Sequence, residues 1–370
     1  MFLRSIYISN FRNYQEASFS FSKKITCITG NNGSGKTNLL DAIYYLCITK
    51  SYFAATDFQN IRHGETSFAM RGEFFENDLP HAVKCKVEKD KRKDFYLEDN
   101  RYEKLSDHVG KFPIVFSTPN DVELIYGGSE ERRRFIDLML SQTDHVYLEN
   151  LQEYNRLLLQ RNALLKKFAD TNSFNAPLLE VYDSRMVKPA GYLYESRKNA
   201  ISEIIPFINK TCNHLSDANE DMSIGYESDM LNGDMGSLLA QHVERDRILR
   251  RTTNGIHRDE LVFLMNNHII RKFASQGQQK SFLISLKLGL YRWLKNKIAV
   301  APFLLLDDIF DKLDQHRSAK LLELIAQDDF GQVFITDTQR HRLESVFAGN
   351  KDVEFVEMEV SPLPTLDSGR

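Results

Sequence analysis

Residues Gly30-Asn31-Asn32-Gly33-Ser34-Gly35-Lys36-Thr37 spell G-x-x-x-x-G-K-T, and the flanking segments are what such a loop physically requires. Before it, Ile25-Thr26-Cys27-Ile28-Thr29 is β-prone and apolar; after it, Leu39, Leu40, Ile43 and Leu46 share one helical face. A strand, a glycine loop and a helix N-terminus together make a phosphate cradle. Glycine lets successive backbone N–H groups turn inward, and the helix dipole favours the anion held there. Lys36 would reach the β- and γ-phosphates of a nucleoside triphosphate, and the Thr37 hydroxyl would take one position on Mg²⁺. ATP and Mg²⁺ are the expected ligands of Gly30 to Thr37.

A triphosphate site needs a second acidic half. Phe303-Leu304-Leu305-Leu306-Asp307-Asp308 is a hydrophobic strand ending in two carboxylates, expected to run beside the P-loop strand. Asp307 is the expected metal residue, and Asp308 the group that orients or deprotonates an attacking water. Upstream, Ser275-Gln276-Gly277-Gln278 heads a long amphipathic helix; alone, this reads more readily as an ordinary N-cap than as a ligand site. Downstream, Asp314 is placed to cap the helix 315–326.

The texture of the chain separates these halves. Strands are expected at 2–8, 16–21, 24–29, 67–75, 82–88 and 93–98, around the P-loop helix. From about 123 to 250 helix dominates. One run over 146–168 carries a stripe of Tyr147, Leu151, Tyr154, Leu158 and Leu165. A second over 178–208 contains Pro189 and Pro206, which should kink or end it. A polar, irregular segment spans 213–235, with a further helix across 237–250. The β/α pattern then returns, with Asn266-Asn267 as a hairpin turn, a helix over 276–296 and strands at 303–306 and 332–335.

Composition removes several classes. At 370 residues the chain has room for two domains, and its formal charge of −3 excludes coating nucleic acid by bulk positive charge. The longest apolar run, 298–306, is far short of the roughly 20 residues of a membrane helix. No signal-peptide core precedes it, so a cytoplasmic protein without membrane contact is expected. Cys27, Cys47, Cys85 and Cys212 lie far apart and read as reduced, mostly buried thiols.

The order P-loop, Ser-x-Gly-Gln, acidic strand, Asp-x-Leu-Asp resembles the ABC-type ATPase heads of transporters and SMC proteins. The resemblance implies that Ser275, Gly277 and Gln278 act in trans, capping the γ-phosphate bound by a second copy. Asp311 and Asp314 would form the loop between the two sites. Further segments narrow the match: Asn10-Phe11-Arg12-Asn13-Tyr14, Gly127-Gly128 with Arg132-Arg133 and Phe135-Ile136-Asp137, Gln160-Arg161-Asn162-Ala163-Leu164, and Gly255-Ile256-His257-Arg258-Asp259. Together, from residue 10 to about 336, they resemble the RecF family of bacterial recombination mediators.

That resemblance implies an α/β ABC-type P-loop ATPase head, with a β-rich lobe plus a RecA-like α/β core and an inserted helical domain. The expected ATPase halves are 1–122 and 252–370, with the inserted domain at 123–251. It further implies a slow, DNA-stimulated ATPase acting as a switch in recombinational repair, replication-gap processing and the SOS response. ATP would close a homodimer on gapped DNA or a single-strand/double-strand junction, hydrolysis would release it, and RecO and RecR would help it load RecA. Two other readings stand beside this one: an ATPase subunit of another ABC or SMC-like system, and a metabolic P-loop kinase. The signature departs from the wider pattern at Gln276, where glycine is usual. Thr336-Asp337-Thr338 stands where a histidine usually follows the strand ending at Ile335, and Ser117-Thr118-Pro119-Asn120 ends the first lobe without a glutamine.

Three basic clusters are candidates for DNA: residues 84–93, Arg132-Arg133-Arg134, and Arg245, Arg247, Arg250 and Arg251. Arg132 and Arg133 lie in a family-like segment; their forks suit phosphate, or equally Asp137 or another neighbouring carboxylate. Each cluster also reads as a solvated face.

Overall fold

The computed structural model describes residues 1–215, 220–298, 300–310, 315–326 and 330–359. Asp311 and Asp314, expected between the two sites and at a helix cap, lie outside them. By contacts the chain divides into Met1–Asn120 with Leu294–Arg370, and Asp121–Trp293. Residues 252–293, grouped by sequence with the second ATPase half, pack within the second unit.

The first unit contains two sheets. One is antiparallel, in the order Tyr14–Ser20, Phe2–Phe11, Ser67–Glu76, Leu79–Glu88, Asp94–Leu97, Asn100–Arg101. A register shift between Leu3 and Ser5 explains why Leu3, Ile6 and Ile8 all face the core although their spacing breaks strict alternation. The other is parallel, in the order Val353–Met358, Ile25–Gly30, Val333–Asp337, Phe303–Asp307, Ile114–Ser117. Its three middle strands are buried almost throughout, as a parallel sheet covered on both faces demands.

Helix Lys36–Ile48 packs against strands of both sheets. The sequence marks only one apolar face, yet Ala42, Tyr44, Tyr45 and Cys47 are buried as well. A helix between two sheets has no solvent side. Its one acid, Asp41, is fully buried and takes an ion pair from Arg12 at 2.8 Å and hydrogen bonds from Ser51 and the Tyr52 N–H. Burial raises its pKa, and the Arg12 charge opposes that shift.

The second unit is led by helices Ser129–Thr143, His145–Asp170, Ala176–Leu215 and Met235–Leu249, with most of Gln276–Lys297. A small sheet runs Met222–Glu227, Glu260–Met265, His268–Ile269. Met222–Glu227 corrects the expectation of an irregular 213–235; it is short, half-buried and contains a glycine, so its strand pattern is faint. Asn266 and Asn267 both have positive φ (49° and 61°), as a tight hairpin turn requires. Neither proline ends the long helix: Ala176–Leu215 runs through Pro189 and Pro206. Pro189 is buried in the packing, and Pro206 is exposed, where the carbonyl it leaves unpaired can meet water.

This unit has a charged centre. Arg161, fully buried, meets Asp183 and Asp246 at 2.6 Å each and Thr252 at 2.9 Å. Arg197 meets Asp137, Asp259 and the Ile256 carbonyl. Arg161 of segment 160–164 and Ile256 and Asp259 of segment 255–259 are thus held in these buried charge networks. Among the described residues, no helix is long and apolar enough to cross a membrane. All four cysteines are buried thiols outside any disulfide.

Candidate nucleotide site

The parallel strand Ile25–Gly30 delivers its chain into the loop with Gly30, Gly33 and Gly35 at φ 147°, 81° and 102°. A Cβ on Gly30 would lie 2.3 Å from the Met358 carbonyl oxygen, and one on Gly35 would meet Asn13 and Tyr14 at 2.7 and 2.9 Å. Both positions demand glycine for conformation and for space. Tyr14 donates its hydroxyl to the Gly35 carbonyl at 3.0 Å, and Asn13 accepts from Asn38 at 2.7 Å. The segment Asn10–Tyr14 thus buttresses the loop from outside, with Arg12 bound to Asp41, Asn38, Ser51 and Asn60.

Lys36 leads the helix, and its Nζ lies across the loop, donating to the carbonyls of Gly30 (2.7 Å) and Asn31 (2.9 Å). Burial lowers its pKa, and the charges of Asp308, Asp307 and Asp337 oppose that shift. The Thr37 hydroxyl meets both carboxylate oxygens of Asp307, at 3.0 and 2.9 Å.

The sequence places the acidic strand next to the P-loop strand, and here the structure differs. Val333–Asp337 lies between them. That intervening strand supplies a residue the sequence reading did not assign. Thr336 donates to Asp307 at 2.7 Å and accepts the Asp308 N–H at 2.9 Å, so one hydroxyl ties the two acids together. Its signal in the sequence was only the missing histidine after Ile335. Asp308 sits at φ 44°, a left-handed turn that redirects the chain as the strand ends.

Asp307 is 4% exposed, its pKa raised by burial and by Asp308 against the hydrogen bonds from Thr336 and Thr37. No described cation lies within ion-pair reach of it. A hydroxyl beside a buried carboxylate that no described cation pairs directly is a donor set that fits Mg²⁺. Thr37 and Asp307 would hold the ion, which would neutralise phosphate charge when bound.

In the second unit, Ser275 is exposed just before helix Gln276–Lys297, and it forms a reciprocal cap with Gln278. The Ser275 N–H donates to Gln278 Oε1 at 2.9 Å, and the Gln278 N–H donates to Ser275 Oγ at 3.3 Å. Gln279 fixes the approach, donating to the Ala274 carbonyl and accepting from the Tyr126 hydroxyl. Gly277 falls in the first turn of this helix.

The basic clusters resolve unequally. Arg132 binds Glu260 with two nitrogens, at 2.6 and 2.8 Å, and the carbonyls of Leu124 and Gly127 at 3.0 Å each. That is the carboxylate alternative, and it holds most of its donors internally. Arg133 is half-buried and donates to the Asp259 carbonyl, while Arg134 is exposed. In the 84–93 cluster, Lys84, Lys86, Lys91 and Lys93 pair with Asp99, Glu88, Glu88 and Asp57. Arg247 and Arg250 pair with Glu244 and Asp170.

A parallel sheet with the phosphate loop at one strand's end, an acid two strands away and an antiparallel lobe beside it define an ABC-type P-loop ATPase head with an added helical region. Two Smc head structures share this fold at TM-score 0.55, with 15% and 17% identity. The sequence matches the family described as "RecF/RecN/SMC N terminal domain" over residues 2–361. It is 42% identical to the DNA replication and repair protein RecF of Flavobacterium johnsoniae, covering 94% of this chain and 96% of that one. It is 41% identical to that of Cytophaga hutchinsonii, covering 95% and 93%. The structure of a recombination mediator protein RecF-ATPrS of the RecFOR pathway superposes with TM-score 0.85 at 26% identity, covering 97% of this chain and 96% of that one. The chain belongs to the RecF family.

Proposed function

We propose that this protein binds ATP and Mg²⁺ at Gly30–Thr37 with Asp307, and uses the nucleotide to close a homodimer on DNA during recombinational repair and replication-gap processing. The observation that carries this reading is the contact of Thr37 with Asp307, residues 270 apart in sequence. No stability argument requires a hydroxyl and a buried, unpaired carboxylate to meet at the mouth of a glycine loop. The RecF names of its relatives, and the solved RecF-ATP structure at 28% identity, support the DNA-repair setting and the choice of nucleotide.

In this mechanism the loop N–H groups and the helix N-terminus of Lys36–Ile48 bind the phosphates. Lys36 exchanges two carbonyl acceptors for phosphate oxygens, a stronger charge-assisted bond. Asp308 holds the attacking water in line and takes its proton, with its backbone fixed through Thr336. Ser275 and Gly277 of each copy meet the other copy's γ-phosphate, with Gln278 behind them in the same first turn, so hydrolysis removes the group that joins them. The ATPase is then a slow, DNA-responsive switch. Arg133 and Arg134 are the proposed backbone contacts, with a gapped or junction duplex as substrate. In the cytoplasm the ATP-bound dimer, with RecO and RecR, would favour RecA loading and so support the SOS response.

The test is Ser275→Arg, with dimerisation followed by light scattering and gapped-duplex binding by fluorescence anisotropy, each with and without ATP. ATP binding to the monomer should stay intact, while ATP-induced dimerisation and hydrolysis are lost. A variant that still hydrolyses ATP as a monomer refutes the shared site.

A further inference from the structure

The reciprocal cap at Ser275 is held by a third residue. Gln278 uses its Oε1 on the Ser275 N–H, and its Nε2 donates to Glu220 Oε1 at 3.1 Å. Glu220 is 4% exposed, and its other oxygen accepts from the Cys212 thiol at 3.7 Å. No described cation pairs with it. A buried carboxylate without a counter-ion is costly, and its strongest described donor is this one amide.

The polarity of the chain of bonds matters. An amide can be flipped, but a carboxylate at Glu220 accepts, so it selects which end of Gln278 faces it: the NH₂. The carbonyl end is then necessarily the one turned to Ser275. With Gln278 so oriented, the Ser275 backbone is pinned and its Oγ accepts the Gln278 N–H. The hydroxyl proton of Ser275, already exposed, is left to donate outward. A phosphate oxygen on a second copy needs that proton.

Cys212 and Asn209 lie one turn apart on helix Ala176–Leu215, and Asn209 exchanges hydrogen bonds with the backbone of Met222, at 2.9 and 2.7 Å. The segment carrying Glu220 is thereby anchored to the long helix at the carboxylate itself and two residues after it. We infer that Glu220 is a positioning residue for the signature: it orients Gln278 so that Ser275 presents its hydroxyl proton to the partner copy's nucleotide. This rests on the trans-acting reading of Ser275 and deepens it.

Reversing the polarity tests this. Gln278→Glu sets carboxylate against carboxylate, so the ATP concentration for half-maximal dimerisation should rise at least tenfold, with monomer nucleotide affinity unchanged. Adding Glu220→Gln restores an amide–carboxylate pair with donor and acceptor exchanged, and should bring dimerisation back to within about threefold of wild type. Thermal unfolding of all three proteins confirms that each is folded.

If Gln278 mattered only by touching phosphate, its new negative charge would be equally harmful in the double variant. A double variant no better than Gln278→Glu therefore overturns the inference, as does a single variant that dimerises normally. Normal dimerisation of Ser275→Arg overturns the trans-acting reading beneath it.

Discussion

Replacing Asp307 with asparagine should stabilise the nucleotide-free protein while removing its function. The carboxylate is 4% exposed, and burial together with Asp308 holds its pKa above the ordinary value. An uncompensated buried charge costs several kcal/mol after relaxation. Two hydroxyl bonds to a charged acceptor return about 1.5–3 kcal/mol each, and the Lys36 charge assists. Asparagine keeps an acceptor for Thr336 and Thr37 and removes the charge. The expected net gain is about 1–2 kcal/mol, or roughly 2–8 °C in the melting temperature of a unit this size.

The pH dependence supplies the sign. Because the folded state raises this pKa, it holds the proton more tightly than the unfolded chain does. Stability from this group is complete below the ordinary carboxylate range and is lost as pH rises through the folded value. The variant's advantage should therefore be present at neutral pH and vanish in acid. Calorimetry of both proteins in EDTA across pH measures it, and with Mg²⁺ and ATP the order should reverse, since only wild type gains binding free energy. A variant less stable than wild type in EDTA at neutral pH, or one whose advantage does not change with pH, refutes a net cost of burying this charge.

Lys36→Ala should weaken ATP binding roughly ten- to hundredfold, the worth of a charge-assisted contact, as read by titration calorimetry; wild-type affinity would contradict the cradle. Arg161→Ala leaves Asp246, 1% exposed on its side chain, without its cation. A loss of about 3–5 kcal/mol is expected from urea unfolding of the helical unit, with ATP affinity at the P-loop unchanged. His108 and His257 are held neutral by burial, each with a pKa near 4. The unfolded chain takes up protons near pH 6.5, so stability present above that value should fall as pH drops toward 4, by on the order of 3 kcal/mol per histidine. His257→Gln should flatten that slope in denaturant titrations.

Local signals carried much of the site. The glycine loop, the apolar run into Asp307-Asp308 and the Ser275–Gln278 cap each depend on residues within a few positions of one another, which is the range over which periodicity and capping operate. Strands of the antiparallel lobe were legible for the same reason, because their alternation follows a half-buried surface. The strand Ile114–Ser117 was not, since three apolar residues and a serine, all buried, carry no period. Arg161 was concealed in the opposite way. It stands on the buried stripe of its helix with Tyr154, Leu157 and Leu165, and only its partners from two other helices make that position tolerable.

The chain's own order thus determined the chemistry available to it: which residues could cradle a phosphate, which acids end a buried strand, and which serine begins a helix. Strand order belongs to the tertiary structure, because hydrogen-bonded neighbours in a parallel sheet are chosen by crossover and packing rather than by sequence proximity. It put Val333–Asp337 between the two halves of the site and so made Thr336 the hydroxyl joining Asp307 to Asp308. Packing likewise buried the whole circumference of the P-loop helix and set Glu220 behind Gln278. Those contacts join residues whose separation in sequence leaves no periodic trace.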